Sequence, residues 1–132
     1  MSAGAAISAV TWLLILTGVG LNAAAQLLLK LAVRPLQHVT DFGFDTVRQS
    51  LWLLATSLPF WTGMLCYAVS VCVWIAALSK APVSTAYPML SLGYVVVAAV
   101  SFLWLGESLS TAKILGIALI CAGVILVSRS ST

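Results

Sequence analysis

Four apolar stretches, residues 7–33, 59–78, 83–105 and 111–127, take up most of the chain, and one long polar connection at 36–50 separates the first from the second. A helical bilayer crossing needs about 20 apolar residues, so each stretch is long enough to span. The breaks between them carry helix-stop chemistry. Arg34-Pro35 closes the first with a cation near the carboxyl end and then a helix breaker, and Ser79-Lys80-Ala81-Pro82 closes the second. Gly106-Glu107-Ser108 makes a tight turn after the third, and Ser110 is placed to cap the fourth. The pattern predicts an all-α membrane protein with four transmembrane helices, arranged as one domain over residues 1–132.

Polar positions inside these stretches are few and periodic. The first span holds Asn22, Gln26 and Lys30 at intervals of four, with Leu14 and Gly18 continuing the row towards the N-terminus. Each step of four advances a helical side chain by about 40°, so the three polar groups lie within roughly 80° of one face. Amides and an ammonium are costly in hydrocarbon and are expected to face protein or a wet cavity. Lys30 sits near the end of the span and can snorkel to the interface. Asn22, next to the middle of the span, cannot.

The second span offers Gly63, Tyr67, Ser70 and Trp74 on one face. The third offers Ser84, Tyr87, Ser91, Tyr94, Ala98 and Ser101 at alternating spacings of three and four, with Pro88 inviting a kink beside Tyr87. Small residues and serines serve helix packing equally well, whereas a phenol held at depth needs a polar partner. The fourth span is almost without polarity. Its Ala112, Gly116 and Gly123 form a small-residue ridge, expected to be a helix-packing or dimerisation surface, within the subunit or across a dimer.

The polar connection admits three forms: a short interfacial helix, an early kinked start of span two, or a solvated loop. For a helix, Asp45 is the expected cap, Val47, Leu51 and Leu54 share a side, and Trp52 suits the headgroup layer. His38 stands alone and receives no role.

Composition narrows the function classes. The 132 residues are 62% hydrophobic and only 7% charged, more apolar surface than a soluble domain of this length can hide. The net charge of +3 comes from cations placed singly at span ends, which does not make a nucleic-acid surface. Cys66, Cys72 and Cys121 all fall in apolar runs, without metal-ligand spacing or a disulfide framework, and are expected to be reduced and packed. No nucleophile–base pair, metal cluster or phosphate loop is legible, so neither an enzyme nor a cofactor is expected. The N-terminal MSAGAAISAV lacks Lys and Arg, and the run after it is too long for a leader's apolar core, so the first span is expected to stay in the membrane. Loop charges divide four to two and leave the orientation open.

Residues 80–129, KAPVSTAYPMLSLGYVVVAAVSFLWLGESLSTAKILGIALICAGVILVSR, resemble the second half of small multidrug resistance transporters, within the drug/metabolite transporter superfamily. The motifs that carry the likeness are A-Y-P-x2-S-x-G at 86–93, G-x6-G-V at 116–124, and Leu105-Gly106-Glu107. With Lys30 aligned to the family's lysine, Asn22 falls where the drug exporters keep their proton-coupling glutamate, and no other Asp or Glu lies inside a span. An amide does not titrate, so proton antiport does not carry over. Gln26-x3-Lys30 and Tyr87-Pro88 instead resemble a paralogous branch of EamA-like four-span proteins, the flippase subunits for aminoarabinose-phosphoundecaprenol.

That resemblance implies a multi-pass protein of a bacterial inner membrane. It also implies a polyprenyl-phosphate-linked sugar or similar anionic lipid as substrate, and a homodimer or a heterodimer with a similar four-span subunit. Lys30 and Arg34 suit the lipid phosphate, and Asn22, Gln26, Trp74, Tyr87, Ser91 and Tyr94 suit a sugar headgroup. Two other readings stay open: a small-solute or drug transporter without the usual glutamate, and a non-transporting assembly subunit whose polar stripe only fixes packing. A lipid substrate requires a lateral groove bounded by spans one and three. A packing role requires Asn22 and Gln26 to be enclosed by side chains.

Overall fold

The computed structural model describes residues 7–130. Residues 1–6, part of the segment read above for the absence of a leader, lie outside them. The described chain folds into α1 (Ala9–Val33), α2 (Phe44–Ala55), α3 (Leu58–Leu78), α4 (Val83–Leu90), α5 (Leu92–Trp104) and α6 (Thr111–Ser130), with a 3-10 turn at Arg34–Leu36. Four segments are long and apolar enough to cross a membrane: Ala9–Leu36, Leu58–Leu78, Val83–Trp104 and Thr111–Ser130. They coincide with the four stretches read from the sequence to within a few residues.

Helix starts follow side-chain chemistry. The Ser8 hydroxyl accepts from the Thr11 N–H at 3.2 Å and the Ser57 hydroxyl from the Phe60 N–H at 3.3 Å. Ser110 accepts from the Lys113 N–H at 3.3 Å, as its position predicted. Asp45 does not cap. The N-cap of α2 is Gly43, and Asp45 lies in the first turn, where its carboxylate pairs with Arg48 at 3.7 Å. A carboxylate there still complements the helix dipole. The polar connection thus holds a helix of its own, broken from span two at Thr56-Ser57, rather than an early start of that span. Val47, Leu51 and Leu54 do share a side, facing Leu36, Val39 and Phe42.

Span three is two helices. Pro88 removes one helical donor, the ladder lapses at Ser91, and Tyr94 N–H donates to the Ser91 carbonyl at 3.0 Å. The Ser91 hydroxyl is spent locally, donating to the Pro88 carbonyl.

α1 is the central element, packed mainly on α3 and then on α5 and α4. Along its length the surroundings change in order. Ile15 and Val19 are buried in a core with Ala77, Ala81, Ala86, Met89 and Val124. Asn22 and Gln26 come next, and Lys30 last, about 22 Å from Ile15 at 1.5 Å per residue. One face of α1 is packed along most of its length, with Ala23, Ala25 and Ala32 also buried, while its polar row runs along another face. Of the four spans α6 contributes least: among its described residues only Val124 is buried.

Candidate functional site

A cavity of about 310 Å³ opens beside the polar row of α1. α1 supplies Asn22 and Gln26; α3 supplies Tyr67, Ser70 and Trp74; α4 and α5 supply Tyr87, Gly93 and Tyr94. These positions meet because each helix turns its polar row inwards at the same level. Gly18 of α1 lies against Trp74 and Gly93 of α5 against Val19, at ordinary contact distances of 3.6 and 3.4 Å from where a Cβ would stand. Ser70 Oγ donates to the Gly18 carbonyl at 3.2 Å, a hydrogen bond that ties α3 to α1 just behind the cavity. Trp74 and Tyr87 meet edge to face, 5.8 Å between ring centroids and 77° between planes.

Asn22 is half-buried and Gln26 exposed, so neither amide is enclosed by side chains. Among the described residues their amides make no hydrogen bond to protein, and nor do the phenols of Tyr67, Tyr87 and Tyr94. Tyr87 and Tyr94 are each more than half exposed, which places the mouth of the cavity at the flank of the bundle, beside span three. The groove is bounded by spans one, two and three, one more wall than the sequence proposed.

Lys30, one turn beyond Gln26, does not line this cavity. Its Nζ donates to Glu107 Oε1 at 2.9 Å, both side chains being about half exposed. The turn that places the carboxylate is specific. Gly106 adopts φ 69°, a left-handed value that favours glycine, and the Glu107 N–H returns to the Ser101 carbonyl at 3.1 Å. The Lys30 hydrogen bond and charge hold the Glu107 carboxyl below the usual carboxylate range, and Lys113 lowers it further. Arg34 lies in the 3-10 turn, exposed and away from the cavity.

A model of the EamA-like transporter family matches residues 3–129. The chain belongs to that family. It is also similar to the probable 4-amino-4-deoxy-L-arabinose-phosphoundecaprenol flippase subunit ArnF of Erwinia tasmaniensis, 39% identical over 114 residues that cover 85% of this chain and 89% of the relative. The ArnE subunit of the same description from Pseudomonas savastanoi pv. phaseolicola is 31% identical over 121 residues, 92% of this chain and 99% of the relative. A more local likeness, 47% over 76 residues, links it to ArnF of Shewanella sediminis and spans 56% of this chain and 52% of that protein. No solved structure matches the chain.

This EamA-like protein is a multi-pass protein of the bacterial inner membrane, from a family of transporters rather than enzymes. Of the residues singled out in its sequence, Asn22, Gln26, Trp74, Tyr87 and Tyr94 come together in one cavity. Lys30, Arg34 and Ser91 stand outside it. Tyr67 and Ser70 belong to it and were legible only as members of the span-two stripe. Glu107 had no signal beyond its turn, because its partner lies on the first helix. Gly116 and Gly123 have nothing within 4 Å of where a Cβ would stand, so the ridge makes no close contact within the described chain. Cys66 and Cys121 are half-buried, but Cys72 is exposed on the outer face of α3 instead of packed.

Proposed function

We propose that this chain is a flippase subunit for a polyprenyl-phosphate-linked amino sugar, working with a second four-span subunit, a copy of itself or a relative. The observation that carries the reading is the flank-opening cavity. Two amides and three phenols line it without protein hydrogen-bond partners, one helical turn from a lysine at the end of the span. A sugar is recognised by such donors, acceptors and aromatic faces, and a lipid phosphate by a cation. The polyprenyl tail stays in the bilayer, which a groove open at its side permits. The names of the ArnE and ArnF relatives point to the same substrate.

Binding and flipping measured on reconstituted protein test the assignment of roles. A hydrogen bond to an ionised group contributes about 1.5–3 kcal/mol, so Lys30→Ala should weaken binding of the phosphorylated lipid at least about tenfold and leave its neutral alcohol unaffected. Asn22→Ala, too deep for a phosphate at the interface, should slow flipping more than it weakens binding. Equal affinity of wild type and Lys30→Ala for the phosphorylated lipid would make Lys30 a snorkelling end-marker and overturn the reading.

A further inference from the structure

We propose that Glu107 is the resident counter-ion of an anion site formed by Lys30 and Lys113, and that the phosphate of the lipid takes its place on binding. The inference rests on the substrate reading above and adds a residue and an exchange to it. Three observations support it.

The first is the composition of the cluster. Two cations from opposite ends of the sequence, one on α1 and one in the first turn of α6, act on a single carboxylate. Lys30 contacts it at 2.9 Å, and Lys113 lines one small cavity with it, its Nζ donating to the Ser108 carbonyl at 3.4 Å. A carboxylate and a phosphodiester each carry one negative charge and two equivalent oxygens. Replacing one with the other therefore leaves the charge of the site unchanged, and no lysine is stranded bare at the edge of the hydrocarbon.

The second is access. Lys30 and Glu107 are 44% and 42% exposed, so an incoming anion reaches the pair without opening the bundle. A half-exposed ion pair contributes little to stability, and trading it for another ionic contact is cheap. The backbone of Glu107 is held by the Gly106 turn and the Ser101 carbonyl, while the side chain keeps its rotatable bonds and swings alone.

The third is position. A second cavity, about 210 Å³, is lined by Tyr94, Ser101, Glu107, Ser108 and Lys113. Tyr94 also lines the central cavity, so the cavity of Glu107 and Lys113, with Lys30 bonded to Glu107, adjoins the amide-lined cavity across one side chain. A phosphate exchanged onto Lys30 leaves its sugar facing Tyr94 and the amides beyond. On release, Glu107 recaptures Lys30, which keeps the lipid from being held too tightly to leave.

The test uses the full chain in lipid nanodiscs with undecaprenyl phosphate, a monoester held at about pH 5 so that it carries about one negative charge, and undecaprenol as probes. Glu107→Gln removes the competing charge and should tighten undecaprenyl phosphate about three- to tenfold, with undecaprenol unchanged. Glu107→Asp should stay near wild type, and Lys113→Gln should weaken the phosphate lipid about threefold. Glu107 is the only glutamate in the sequence, so glutamate labelled at the carboxyl carbon gives one resonance in the unmutated protein. Adding undecaprenyl phosphate should raise its titration midpoint towards the usual carboxylate range, as Lys30 is drawn away. A midpoint that does not move, or a Glu107→Gln protein that binds no tighter, would overturn the exchange. If wild type prefers the phosphate over the alcohol in that case, the substrate reading survives. If wild type does not distinguish the two probes, both fall.

Discussion

Gly63 marks the closest approach of spans one and two: a Cβ there would stand 3.2 Å from Leu28 Cβ and Leu29 Cγ and 3.3 Å from the Ala25 carbonyl oxygen. Those distances are tighter than ordinary contact, and one of the neighbours is backbone that yields little. Gly63→Ala should therefore cost about 1–3 kcal/mol, the usual range for overpacking, read as a lower thermal midpoint in detergent. Gly63→Leu should prevent folding. An unchanged midpoint for Gly63→Ala would show that α1 and α3 adjust more freely than their packing implies. The polar residues at this scale divide by partner. Ser70 and Ser91 spend their hydroxyls on carbonyls, whereas Asn22, Gln26 and the three tyrosines make no such contact among the described residues. In the sequence all of them are members of stripes at spacings of three and four, and residue type alone set the serines apart from the amides and phenols.

α6 is the least buried of the spans, and it presents Gly116 and Gly123 to the outside of the chain. Within one subunit nothing there requires a glycine. A substitution separates the possible roles of this face. Gly123→Leu should leave the thermal stability of the isolated chain unchanged and shift its elution on detergent chromatography to a smaller assembly, because a branched side chain keeps helix backbones apart. Loss of stability without a change in assembly size would return the ridge to a role inside the subunit. α4 and α5 show how one proline shapes an element. Tyr87 and Tyr94, seven residues apart, would share a face of an unbroken helix, and the interruption at Ser91 leaves both on the same cavity although they belong to different helices.

Across the whole molecule, charge among the described residues is confined to the ends of the bundle, and no charged side chain lines the polar cavity. Asn22 does not titrate, and Glu107 lies outside the spans, its carboxyl held below the usual carboxylate range by the Lys30 hydrogen bond and charge. The chain in liposomes should therefore show no pH-gradient-driven uptake of quaternary ammonium compounds, and robust uptake would refute the assignment of a lipid substrate. Asn22→Glu alone should not create such an exporter. The sequence by itself determined the four spans, their ends and the polar stripe on α1, because length, hydropathy and a helical period are local properties of the chain. It could not tell Gly63 from Gly123, or show that Gly43 rather than Asp45 stands at the start of α2. Only the tertiary structure decided that the stripes of three spans meet at one level and that Lys30 pairs with Glu107. Those outcomes depend on how each helix is rotated and which neighbour it meets, and side-chain spacing along one segment carries no record of either.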